Sequence, residues 1–272
     1  SFSMRLLLIA FLICLMPTAW TKIYKGYISK RTKVQKRFWG GMDTNTGANF
    51  GGWLLRIMNS DGTFACGASY YAPMLVLTSA NCIRPYRNSL DGVSVEGTAI
   101  YGEERDNYAL IDTIYMPESF KPRQTDMDIA VVRLMRPIKG RLTEFIKLCE
   151  TYPLTGMRMT AFAWGYDSFD VQPPSHLTKK GDVLVENFAE CRRKFKGMLD
   201  LTLTSICVTE PKDPRLCLYD GGSPLIYKDE LCGIVSYGSG CSNTSIPGVY
   251  TNIMEVKKYI FSIQKGIKSG AI

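Results

Sequence analysis

The chain is poor in histidine, with His176 the only one among 272 residues. It has no C-x-x-C pair, and neither cysteines nor carboxylates gather near His176 as a ligand set, which excludes the common zinc arrangements. No metal and no cofactor are expected. Uninterrupted apolar runs are short: "LLLIAFLICLM" at 6–16 breaks at Pro17, well under the ~20 residues that span a bilayer. Acidic residues are missing from the first 37 positions. No internal repeat and no low-complexity tract is visible.

What is present sets the compartment. Met4-Arg5, the apolar run and the small residues after it form the pattern of a secretory signal, ending between Ala19 and Thr21. A membrane-anchoring helix is the alternative. Cys14 would leave with the signal, and the eight remaining cysteines form an even set, as in secreted chains held by disulfides. The net charge is +8, but eight of the 33 Lys and Arg precede Phe38 while all 25 acidic residues follow it. The rest is therefore balanced, which argues against nucleic acid as a partner of the folded part. The basicity sits in "KIYKGYISKRTKVQKR", 22–37, with dibasic pairs at Lys30-Arg31 and Lys36-Arg37. This reads as a removable propeptide, or alternatively as a lasting anchor to an anionic surface. The expected organisation is a lead and signal at 1–21, the basic segment at 22–37 and one domain at 38–272.

Beyond residue 38 the pattern is all-β. "GGWLLRIM", "MLVLTS", "DGVSVEGTAIYG", "DIAVVRL", "GMRMTAFAWG", "LCGIVSYG" and "GVYTNI" are short strand-like runs punctuated by turn residues. Their close spacing predicts antiparallel barrels or sandwiches rather than βαβ units. Only the end reads as helical, with Val256, Ile260, Ile263 and Ile267 on one stripe.

Taken in order, "RFWGG" (37–41), "FACGAS" (64–69), "LTSANC" (77–82), "DMDIAVVRL" (126–134), "AWG" (163–165), "CLYDGGSPL" (217–225), "CGIVSYG" (232–238) and "PGVYTNI" (247–253) resemble the chymotrypsin/trypsin family of secreted serine proteases. The resemblance implies two six-stranded antiparallel β-barrels with a C-terminal helix and a cleft between the barrels. It also implies the bridges Cys66–Cys82, Cys191–Cys207 and Cys217–Cys241. Cys149 and Cys232 are expected to form a fourth, with a bridge to another chain as the alternative.

Acyl transfer in this family uses a serine nucleophile, a histidine base and an aspartate that orients the imidazole. Asp128 matches the aspartate and Ser236 the serine that supports it. The histidine position is Asn81, whose amide has no proton affinity near neutral pH. The nucleophile position is Gly221. Ser223 stands two residues further on, where the family has glycine, so its hydroxyl is expected to point away from the cleft. Tyr219 stands at the oxyanion-hole glycine. The activation latch maps to cleavage after Arg37, a new amino end at Phe38, and Asp220 as its acceptor; Asp220 bound only to backbone is the alternative.

At the base of the specificity pocket the resemblance places Arg215. It either fills the pocket, paired with a carboxylate, or receives an acidic group. Ser236, Tyr237 and Gly238 form the edge that holds an extended peptide, and Gly248 lines the pocket wall. Asn243 begins a glycosylation sequon. These residues predict a secreted serine protease homologue that is not an enzyme. It would bind a protein or peptide partner, such as a protease or its inhibitor, as a decoy, cofactor or regulator. The alternatives are residual serine-type endopeptidase activity, and carbohydrate or surface binding through the basic leader.

Overall fold

The computed structural model describes residues 52–97, 107–139, 144–164, 178–209, 220–238 and 246–272. All of them belong to one unit, Trp39–Ile272; Ser1–Phe38 is a separate unit. The segments 1–21 and 22–37, and His176, lie outside the described residues.

Six strands build the first barrel: β1 (Leu54–Met58), β2 (Phe64–Ala72), β3 (Leu75–Thr78), β4 (Ser94–Gly97), β5 (Tyr108–Tyr115) and β6 (Ala130–Leu134). Every pairing is antiparallel, in the order β1-β2-β3-β6-β5-β4, and β4 returns to β1 to close the sheet. Closure leaves no edge strand unpaired. Along β5, "YALIDTIY", burial alternates at its start, Ala109 and Ile111 facing in while Tyr108 and Leu110 face out. Leu55, Ile57, Leu77, Val95, Val132 and Leu134 fill the interior with no exposure. β4 lies within the 91–102 run read from the sequence, of which 98–102 lie outside the described residues.

The second sheet contains β7 (Lys147–Leu148), β8 (Arg158–Ala163), β9 (Lys179–Leu184), β10 (Ser205–Val208), β11 (Pro224–Tyr227), β12 (Glu230–Tyr237) and β13 (Gly248–Asn252). Six of these run in the order β10-β13-β12-β11-β8-β9, and a bridge from Val185 to Val208 joins the two ends. The short β7 adds parallel to β12. Pro224 opens β11, where its missing N–H costs no ladder bond. Lys228 and Asp229, both at positive φ (47° and 61°), make the tight turn into β12.

Among the described residues three α-helices pack on the sheets. The last, here α3 (Ile253–Ser269), is capped by the Asn252 side chain at its start and by left-handed Gly270 at its end. Its stripe is buried at Val256 and Ile260 and half-buried at Ile263 and Ile267. Two further helices were not foreseen. The first, α1 (Ala80–Ile83), is a single turn capped by Ser79. The second, α2 (Phe188–Lys194), is capped by Asn187 and pinned to β10 by the Cys191–Cys207 disulfide. Both are too short to show an apolar period, so the local caps are their only sequence signal.

Candidate functional site

Loops at the ends of the strands converge where the two sheets meet. α1 follows β3, and Asp128 lies two residues before β6. Gly221 precedes β11, and Ser236 lies near the end of β12. The Cys66–Cys82 disulfide ties β2 to α1, and Cys149–Cys232 ties the second sheet to the segment after β7. Bridges of this kind typically contribute about 2–4 kcal/mol by restricting the unfolded chain. Cys217 and Cys241 lie outside the described residues.

Asp128 is the centre of one half of the site and is completely buried. The Ser79 hydroxyl donates to its carboxylate at 2.9 and 3.0 Å, the Asn81 N–H at 2.7 Å and the Ser236 hydroxyl at 2.6 Å. The Thr251 hydroxyl donates to its backbone carbonyl at 2.8 Å. Burial pushes the Asp128 carboxyl above the ordinary carboxylate range, and the hydrogen bonds from Ser236, Asn81 and Ser79 oppose that rise. Ser236 reaches it because β12 carries a bulge: Val235 pairs with Tyr250 and Tyr237 with Val249, leaving Ser236 between.

The Asn81 side chain also touches the Asp128 carboxyl, but its two stronger bonds go to the neighbouring loop. Its Nδ2 donates to the Gln124 carbonyl at 2.7 Å, and its Oδ1 accepts from the Arg123 N–H, also at 2.7 Å. Arg123 holds a left-handed φ of 64°, which turns its N–H toward the amide. The donor and acceptor of an amide point the same way from one carbon, whereas the two nitrogens of an imidazole diverge on either side of Cε1, so this clamp suits asparagine better than histidine. The sequence reading overlooked Ser79, Arg123 and Gln124. Of these, only Ser79, three residues before Cys82 in "LTSANC", carried a local signal, that of a helix cap.

The other half of the site is backbone. Gly221 is half-buried, and a Cβ on it would lie 3.2 and 3.3 Å from Cys82 Cβ and Sγ. The Gly67 N–H donates to the Gly221 carbonyl at 3.0 Å, joining the first barrel to this loop. Gly222 has φ +87°, and a Cβ there would stand 2.2 Å from both the Gly67 carbonyl oxygen and Thr78 Oγ1. Ser223 is fully buried against Gly67, with no partner for its hydroxyl, so it faces the interior and not the cleft. Asp220, also buried, accepts the Trp164 N–H at 2.6 Å.

Along the edge expected to hold a peptide, β12 is covered by β11 only as far as Ile234, so Ser236 and Tyr237 have β13 alone as a neighbouring strand among the described residues. Tyr237 is 41% exposed and stands edge-on to Phe195 at 5.9 Å. Gly238 follows it, and Gly248 opens β13 opposite Val208. Arg37, Phe38, Arg215, Tyr219 and Asn243 lie outside the described residues. No group of three or more metal-ligating side chains occurs among the described residues.

This fold, with an aspartate and its supporting serine at the junction of two barrels, defines a class, and comparison with known proteins agrees. The family model for trypsin matches residues 38–260, so the chain belongs to the trypsin-like serine protease family. It is 33% identical over 235 residues to seminase of Drosophila melanogaster, covering 86% of this chain and 83% of that one. It is 28% identical over 227 residues to a trypsin of Sarcophaga bullata, with coverages of 82% and 87%. Among solved structures, a scabies mite inactivated protease paralogue superposes with a TM-score of 0.68, 23% identity and coverages of 84% and 99%, a likeness of fold.

These matches correct one expectation. The sequence reading took the loss of histidine and serine to mean that the chain is not an enzyme, whereas the family and its named relatives are proteases. The inference from the triad was too strong physically. A protease site stripped of triad members keeps roughly 10³–10⁴-fold of rate over water from binding and oxyanion contacts.

Proposed function

We propose that this member of the trypsin-like family is secreted and acts in a protease pathway by holding a polypeptide segment in its cleft, as a decoy, cofactor or regulator. One observation carries this reading. Both polar ends of the Asn81 side chain are spent on holding the 123–124 loop, and the Asp128 carboxylate is filled by Ser79, Asn81 N–H and Ser236. The site is thereby finished as a rigid polar wall. The open flank of Ser236-Tyr237 offers strand addition to an extended peptide, whose main chain supplies the affinity. Arg215, which the resemblance places at the pocket base, either receives an acidic group or fills the pocket paired with a carboxylate, and a sugar on Asn243 would stand at the rim. The disulfides support an oxidising compartment. Among the described residues no helix is long and apolar enough to cross a membrane.

Family membership favours a second reading, serine-type endopeptidase activity. Fluorophosphonate labelling and peptide hydrolysis by the native chain, beside Asn81→His, Gly221→Ser and the double variant, separate the two. For the binding role, the native chain should resist labelling, both single variants should match it, and the double variant should gain at least about a thousandfold in hydrolysis, because base and nucleophile act as a unit. Labelling of the native chain would overturn the binding role in favour of hydrolysis. Capture of a protease, inhibitor or acidic peptide by the native chain but not by Arg215→Gly would place the partner in the cleft. Equal capture by both would move it to the barrel surface.

A further inference from the structure

The folded part is balanced in charge, yet its cations are unevenly placed. The last turn of α2 carries Arg192, Arg193 and Lys194, and Lys196 follows. Lys194 turns aside to Glu186, 3.0 Å away. The others line an open groove of about 670 Å³ with Met198, Leu199 and Asp200. Arg193 approaches Glu190 only at 4.0 Å, with both side chains largely exposed. Arg192 and Lys196 make no ion pair among the described residues. Basic residues at a helix C-terminus are ordinary. That rule accounts for neither Lys196, beyond the helix, nor Met198, which is 59% exposed between a cation and an acid. The groove is also firmly held. Cys191 is bridged to Cys207, and Phe195 is 1% exposed and packs on Tyr237 at the cleft edge.

We infer that this groove is a docking site for an acidic polypeptide segment that carries an apolar side chain. The guanidinium of Arg192 and the ammonium of Lys196 accept carboxylates, in a fork or as a point charge. Met198, flexible and polarizable, covers the apolar residue beside them. A sulfated polysaccharide would satisfy the cations but leave Met198 and Leu199 facing water. The site stands apart from the cleft reading, although Phe195 and Tyr237 make the two surfaces neighbours.

The test is fluorescence anisotropy of the full chain with a short synthetic peptide containing glutamates around one leucine. The same peptide with glutamines and a heparin-derived oligosaccharide serve as competing probes. The acidic peptide should bind the native chain, and Arg192→Glu with Lys196→Glu should weaken it at least about tenfold. Met198→Asp should weaken it several-fold, and the glutamine peptide should bind as poorly as the double variant does. All these positions are exposed, so unchanged denaturation midpoints will verify folding. Comparing variants of the same full chain cancels any contribution of the basic leader. Absence of binding, or equal binding by the double variant, overturns the inference. So does tighter binding of the oligosaccharide with indifference to Met198→Asp, which would make the groove a polysaccharide site. Repeating the series in an Arg215→Gly background removes any acidic-peptide binding through the cleft: binding that persists there and is lost on adding Arg192→Glu with Lys196→Glu belongs to the groove, and binding that vanishes with Arg215→Gly alone overturns the inference.

Discussion

The two halves of the cleft have kept different things. On the first-barrel side a set of side chains survives, with Asp128 buried and taking hydrogen bonds from Ser79, Asn81 and Ser236. On the second-barrel side position 221 is a glycine, and the backbone path through Gly221, Gly222 and Ser223 is packed against Gly67 and Thr78. The difference follows from what each part contributes to folding. A buried carboxylate must be satisfied or it destabilises the protein, so its partners are kept for structural reasons. A side chain at position 221 would contribute little to that balance, whereas the backbone around it is close-packed against Gly67 and Thr78.

The largest expected effect tests the backbone half. Gly222→Ala forces a Cβ to within 2.2 Å of the Gly67 carbonyl oxygen at φ +87°, and should destabilise the fold by at least about 3 kcal/mol in chemical denaturation. A loss under 1 kcal/mol, roughly the range of an ordinary surface change, would show that the two barrels can part there.

Next comes the carboxylate half, read through pH. Burial raises the Asp128 carboxyl, so the folded protein holds this proton to higher pH than the unfolded chain does. The stability it contributes is complete below the ordinary carboxylate value of about 3.9 and is lost as pH rises through the raised one. Asp128→Asn has no such proton, so denaturation midpoints measured from acid to neutral pH should show the variant gaining on the native chain as pH rises. Parallel curves would mean that the hydrogen bonds hold the carboxylate at its ordinary value.

The smallest effect concerns the clamp. Asn81→Ala removes two half-exposed hydrogen bonds and should cost about 1 kcal/mol, with faster amide exchange at Arg123 and unchanged exchange in the barrels. Faster exchange throughout would mean that the 123–124 loop supports the whole cleft.

Much of this was legible without coordinates because strand runs and glycine-rich turns are local signals. β1, β3, β4, β6, β8 and β13 lie within runs read from the sequence, β12 exceeds its run only by Glu230, and the Val256–Ile260 stripe is buried in α3. β9, "KKGDVL", gave no clear alternation, and α2 gave no period. The candidate site was legible in part. Asp128 and Ser236 could be placed by motif, but the Arg123–Gln124 clamp joins residues more than 40 positions apart and has no local pattern.

The residue order by itself determined the class of fold, the uneven placement of charge and the chemical identities at 81, 128 and 221, because these depend on side-chain type and short-range spacing. The tertiary structure decided which groups meet: Ser236 turned onto Asp128 by a bulge, Asn81 spent on a loop, Ser223 shut inside and Phe195 set against Tyr237. Those are consequences of closing two sheets against each other. Closure selects, from many possible partners, those that leave most buried polar atoms satisfied, with the Ser223 hydroxyl an exception.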